Sequence, residues 1–126
     1  MIVLDTHVAI WWTADPSHLS PQATQALAEA EVIGVPAICF WEVALLLRKR
    51  RLELKVPVSE WAAAVTSIPR VRSLPLTAEI ALLAESLAMH LDPCDRFIVA
   101  TAMAHGARLC TRDTLIRPLP FVRTMW

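Results

Sequence analysis

Apolar residues along this chain alternate between short unbroken runs and stretches with a helical period. Met1–Leu4 is an apolar run that stops at Asp5 and reads as a buried strand. A helix is predicted from Thr6 to about Thr13, because the residue ahead of Pro16 is driven out of helical geometry. Ser20-Pro21 opens a second helix, with Ser as the cap and Pro at the first helical position. Glu31–Val35 is a second strand, closed by Pro36. A helical period returns from about Ala37 to Arg51 and ends in cations that suit a helix C-terminus. Ser59–Ser67 is predicted as a helix with Trp61 inward, and Val71–Leu74 as a third strand. Thr77–Met89 carries Ile80, Leu83, Ala84 and Leu87 on one stripe. Asp92-Pro93 opens the next helix, which runs to His105 and stops at Gly106. Arg108–Cys110 is a fourth strand, and Phe121–Trp126 holds a fifth.

Strands and helices that alternate in this way predict an α/β domain with a mostly parallel sheet. At 126 residues, the chain is expected to be a single domain, 1–126. Composition narrows the class. Hydrophobic residues reach 56% and charged ones only 19%, with a net charge of zero, which excludes intrinsic disorder. The apolar surplus suggests a face for a partner subunit. The longest apolar run, Val32–Leu47, is interrupted by Pro36 and Glu42, so no membrane span is expected. The start lacks the basic and cleavage-site features of a signal peptide, and the expected location is cytoplasmic. Cys39, Cys94 and Cys110 are far apart and read as buried reduced thiols. Two glycines exclude a glycine-rich phosphate loop.

Four acids occupy unusual positions. Asp5 and Asp113 each follow a strand at its carboxyl end, where parallel sheets form their ligand crevice. Either could instead be a helix cap or a turn residue. Glu42 has Ile38, Leu45 and Leu46 as its helical neighbours. A buried carboxylate there needs an arginine or a bound cation. Asp95 lies three residues after Asp92, which reads as the N-cap. Brought together, Asp5, Glu42, Asp95 and Asp113 would repel one another unless a cation intervened. An all-oxygen donor set suits Mg²⁺ or Mn²⁺ rather than zinc. Such an ion can activate water for hydrolysis of a phosphodiester.

At these residues the chain resembles the PIN-domain family, and within it the VapC toxins of type II toxin–antitoxin systems. Val3-Leu4-Asp5-Thr6-His7 is similar to the strand-ending first motif, and Phe40-Trp41-Glu42-Val43-Ala44 to the second. The segment from His90 to Ala102, with Asp92-Pro93-Cys94-Asp95 near its start, resembles the third. Leu109-Cys110-Thr111-Arg112-Asp113 resembles the fourth. The motifs agree in order and spacing over essentially the whole chain. The resemblance implies a PIN-like three-layer α/β/α fold and a metal-dependent endoribonuclease acting as a toxin. It implies Asp5 and Asp95 as direct metal ligands, with Glu42 and Asp113 completing the site directly or through water. Thr6 and Thr111 would orient these carboxylates. It also implies an RNA substrate, a small VapB-like antitoxin and a homodimer. Pro36 and Cys39 stand where the family often has serines, and Arg50-Arg51-Leu52 where it often has a glycine. These departures bear on loop geometry and RNA preference and leave the acids intact.

The basic residues admit two readings. Arg48-Lys49-Arg50-Arg51 is either a solvated helix end or a contact for RNA phosphates or antitoxin acids. Arg96 and Arg112 each adjoin an acid, and either hold a phosphate or pair with neighbouring carboxylates. Ten of the twelve basic residues are arginines, expected to be free around the crevice. The tryptophans read as core or interface, and no histidine has metal spacing. Two other functions remain open to the residues. One is a phosphatase with Asp5 as nucleophile, although that class wants a second Asp where His7 stands. The other is a non-enzymatic acidic pocket that binds metal or a partner.

Overall fold

A computed structural model describes residues 1–87 and 92–126. The elements in chain order are β1 (Ile2–Leu4), α1 (Thr6–Ala14), a 3-10 turn (Pro16–His18), α2 (Pro21–Glu29) and β2 (Ile33–Pro36). There follow α3 (Ala37–Arg48), α4 (Val58–Ser67), β3 (Val71–Leu74), α5 (Ala78–Ser86), α6 (Pro93–Ala104), β4 (Arg108–Cys110) and β5 (Thr124–Met125). The strands form one sheet in the order β3-β2-β1-β4-β5, and every pairing is parallel. Helices cover the sheet in a three-layer α/β/α arrangement. The helix α6 packs on β1 and β4, α3 on β2, and α4 on β3.

The central strands β1 and β2 are buried along their whole length, whereas β3 at the sheet's margin exposes Arg72 and Ser73 between buried Val71 and Leu74. Val3, Leu4, Ile33, Val35 and Leu109 are fully buried with Val8 of α1 and Ile98 of α6. Each such side chain contributes about 1.5–3 kcal/mol of burial free energy. A second, smaller cluster joins Ile80 and Ala84 of α5 to Ala100 of α6.

Both glycines have steric reasons. A Cβ on Gly34 of β2 would lie 2.6 Å from a Leu74 methyl on β3. Gly106, at φ 59°, ends α6 in a left-handed turn, with its N–H bonded to the Met103 carbonyl and the Ala107 N–H to that of Ala102. The same double closure ends α3, where the Arg50 N–H reaches Leu47 and the Arg51 N–H reaches Leu46. Here the left-handed residue is Arg50, at φ 56°. Such a conformation costs a residue with a Cβ about 1–2 kcal/mol.

Several boundaries differ from expectation. The helix predicted to reach Arg51 stops at Arg48, and the left-handed turn at Arg50 is what stops it. The second strand starts at Ile33 rather than Glu31, and Pro36 pairs with Leu74 as its last member. Proline is tolerated there because it is the final residue of the ladder. The helix predicted over Thr77–Met89 ends at Ser86, where Leu87 turns extended (φ -71°, ψ 126°), while Ala88 and Met89, with His90 and Leu91 of the third motif, lie outside the described residues. The cysteines are buried and free, as expected. Among the described residues no helix is long and apolar enough to cross a membrane.

Candidate active site

The strand order creates the site. From β1 the chain winds outward through β2 to β3, then crosses to the other side of β1 for β4 and β5. The direction reverses between β1 and β4, and a crevice opens at their carboxyl ends. Register places the first groups there. Leu4 pairs with Cys110, so Asp5 and Thr111 leave the sheet side by side, with the Asp5 N–H bonded to the Cys110 carbonyl at 3.1 Å.

Asp5 combines both roles that its position allowed. Its Oδ1 accepts from the His7 N–H at 3.0 Å and caps α1. Its Oδ2 accepts from the Thr111 hydroxyl at 2.5 Å. That hydroxyl also accepts from the Asp113 N–H at 3.0 Å, so one buried threonine ties the first acid to the fourth. Asp113 is a turn residue as well, its Oδ1 accepting from the Leu115 N–H at 2.7 Å.

Glu42 comes from α3, which starts directly at the carboxyl end of β2. Its Oε2 accepts from the Thr6 hydroxyl at 2.5 Å. The buried stripe of α3 is Cys39 and Val43, while Ile38, Glu42, Leu45 and Leu46 are half-buried. The apolar surroundings of Glu42 therefore form the wall of an open cleft and not core. Among the described residues Glu42 has no arginine partner, the ion pairs there being His18–Asp15 and Arg96–Glu85.

Asp92 caps α6 through a 2.8 Å bond from the Cys94 N–H, as its position predicts. One turn in, Asp95 is half-buried and has no hydrogen-bond or ion-pair partner among the described residues. Burial, then the charges of Asp5, Glu42 and Asp113, push its carboxyl up to about 7. Burial also raises Asp5, against the bonds from Thr111 and His7, and raises Glu42 against the bond from Thr6. The acids thus lie within electrostatic reach of one another and are short of positive charge.

Ligand atoms of Glu42, Asp92 and Cys94 lie within 4.8 Å of one another. Asp92, expected only as a cap, is therefore part of the acidic crevice too. Burial, then the nearby Glu42, pushes the Cys94 thiol up to about 12, so it stays protonated and makes a poor ligand for a hard cation. The donors that remain are carboxylate oxygens, and they fit an ion of the magnesium class.

The arginines are less free than their number suggests. Arg96 donates to the Ala84 and Glu85 carbonyls at 3.1 and 2.9 Å and pairs with the Glu85 carboxylate, closing the end of α5. Of its two sequence readings, the pairing one describes its geometry. Arg70 donates to three carbonyls at the end of α2, Arg123 to Gly106 after α6, and Arg72 to Pro69 and Val71. The basic stretch Arg48 to Arg51 is exposed, and Lys49 and Arg51 line a 450 Å³ cleft with Glu42 and Asp92. Trp61 is core, its Nε1 bonded to Thr13 at 2.9 Å, whereas Trp41 is 54% exposed on α3. Sequence reasoning missed one grouping, in which Arg112 lies over Trp11, itself packed against His7, His18 and Trp126. The only signal for it was the density of aromatic residues on α1.

Residues 2–121 match the PIN domain family model. The chain is 40% identical over 118 residues to Ribonuclease VapC22 of Mycobacterium tuberculosis, an alignment covering 92% of this chain and 89% of the relative. Two solved structures share the fold. The crystal structure of VapBC2 from Rickettsia felis, bound to a promoter DNA fragment, superposes with a TM-score of 0.72 at 17% identity, covering 99% of this chain and 98% of the other. VapC20 of Mycobacterium tuberculosis, a toxin that cleaves the sarcin-ricin loop, gives 0.69 at 23% identity, covering 97% of each chain. With the family model spanning nearly the whole chain, and a VapC ribonuclease so similar in sequence, the chain belongs to the PIN-domain family.

Proposed function

We propose that this chain is a metal-dependent endoribonuclease that hydrolyses RNA phosphodiester bonds as the toxin of a type II toxin–antitoxin pair. The observation that carries this reading is the crevice itself, where Thr111 ties Asp5 to the Asp113 turn and the carboxylates of four separate segments lie within reach of one another's charge, without a cationic partner among the described residues. The 40% identity to a VapC ribonuclease supports the choice of RNA as substrate. Asp5 and Asp95 would hold Mg²⁺ or Mn²⁺ directly, and Glu42 and Asp113 directly or through water. The ion would supply an activated water and neutralise charge on the phosphate. The protein's own contribution is orientation. Thr6 holds Glu42, and Thr111 holds Asp5 and the start of the Asp113 turn. Lys49 and Arg51, on the wall of the same cleft, are placed to meet flanking phosphates.

A VapB-like antitoxin is the proposed partner, since the fold's solved relatives include a toxin–antitoxin complex. A homodimer is the proposed assembly, with the exposed apolar side chains Trp41 of α3 and Leu82 of α5 as candidates for burial against a second copy. The decisive experiment incubates the purified chain with a broad RNA panel, with Mg²⁺ or with chelator. Cleavage is expected only with the ion, and Asp95→Asn is expected to abolish it while circular dichroism and the thermal midpoint stay native-like. An Asp95→Asn protein that cuts at the wild-type rate would overturn the site. A panel left uncut by the wild type would favour an acidic binding module.

A further inference from the structure

Arg112 is flanked in sequence by Thr111 and Asp113, both part of the acidic crevice. It is exposed, yet among the described residues it makes neither an ion pair nor a hydrogen bond. Arg70, Arg96 and Arg123 behave differently, each donating to main-chain carbonyls. What holds Arg112 is an aromatic ring. Its guanidinium carbon lies 5.8 Å from the centroid of Trp11, within the range of a cation–π contact.

Trp11 is in turn fixed by its own neighbours. The His18 ring stacks on it at 5.5 Å and 22°, and His18 Nε2 lies 3.2 Å from Asp15. His7 and Trp126 meet it at 5.7 and 5.8 Å in tilted arrangements. A guanidinium lying over a ring keeps its N–H donors at its edge, available to an anion. The crevice would repel a polyanionic strand unless a fixed positive charge stood at its margin.

We propose that Arg112 is a phosphate-binding residue for the RNA strand and that Trp11 is its positioning residue, holding the guanidinium over its ring and out of any pair with a carboxylate. The inference rests on the ribonuclease reading for its substrate. It is tested by binding, which does not require cleavage. The Asp95→Asn protein serves as the background, with a fluorescein-labelled unstructured oligoribonucleotide followed by fluorescence anisotropy at several salt concentrations.

Adding Arg112→Ala should weaken binding about tenfold or more. It should also reduce the slope of log affinity against log salt by about 0.7, the loss of one phosphate contact on a single strand. Arg112→Lys should restore the slope but only part of the affinity, since a lysine lacks the planar fork. Trp11→Leu should weaken binding with Arg112 present and have little further effect once Arg112 is alanine. Trp11→Phe, which keeps a ring, should fall between and serves if the leucine variant does not fold.

Unchanged affinity and slope in Arg112→Ala would overturn the proposal. So would additive losses at Trp11 and Arg112, which would make Trp11 merely structural. If the wild type cuts RNA while Arg112→Ala binds normally, this inference fails and the ribonuclease reading stands. If no RNA is cut but binding depends on Arg112, the reverse holds.

Discussion

The two edges of the sheet handle charge in opposite ways. Where the strands end, carboxylates of Asp5, Glu42 and Asp95 are buried or half-buried, raised, and without a cationic partner among the described residues. Where the strands begin, Arg70 and Arg123 are both held by main-chain carbonyls. Arg70, just ahead of β3, donates to the Leu27, Ala28 and Ala30 carbonyls at 2.8, 3.1 and 3.1 Å and lies over Trp12. Arg123, just ahead of β5, reaches the Gly106 carbonyl at 2.7 Å. The beginning edge uses charge to close helix ends, where carbonyls lack partners. The other edge holds charge that folding alone leaves uncompensated, which marks it as the place where a ligand completes the structure.

The largest expected effect that separates the edges is a pH dependence. Asp95 titrates at about 7 when folded, against 3.8 for an ordinary aspartate. Between these values the folded protein keeps a proton that the unfolded chain has released. Stability of the metal-free protein should therefore fall as pH rises from 3.8 to about 7, and Asp5 and Glu42 act in the same direction. Thermal midpoints in chelator should decline across that window, and less steeply in Asp95→Asn, where Asp5 and Glu42 still contribute. Added Mg²⁺ should raise the midpoint most at the upper end, because it binds the deprotonated acids. A midpoint that climbs with pH in chelator would contradict the crowding of the acids.

Thr111→Val comes next. It removes the hydroxyl that ties Asp5 to the Asp113 turn and should lower cleavage by about 10–100-fold, as loss of a group that orients a ligand does. Single-turnover kinetics would measure this, and a wild-type rate would release Thr111 from its role. Arg70→Ala, on the beginning edge, is the smallest. It should cost about 2 kcal/mol in denaturant unfolding, through the lost bonds to carbonyls, and leave the cleavage rate per folded molecule unchanged. A loss of activity there would mean that the two edges are coupled.

Much of this was legible along the chain because it is local. The proline after Ser20, the cap at Asp92, the glycine at position 106 and the apolar runs of the strands act within a few residues of themselves. The end of α3 was misplaced because its signal is a conformation, a left-handed Arg50 that composition does not announce. Glu42 was singled out for sound reasons, yet its apolar neighbours line a cleft instead of core. Hydrophobic spacing reports which residues share a face and says nothing about whether that face is covered.

The residue types, their order and their chemistry are properties of the sequence alone. An α/β chain, acids at strand ends, oxygen donors and the absence of a phosphate loop could all be read from it. Only the folded chain could decide whether Arg70, Arg96 and Arg112 are free, because that depends on partners more than ten residues away. Arg96 meets the end of α5, Arg70 the end of α2, and Arg112 the face of Trp11. The same holds for the bond from Thr111 to Asp5, set by the pairing of Leu4 with Cys110. Register and helix packing choose these partners, and their energies come from contacts that do not exist until the sheet has formed.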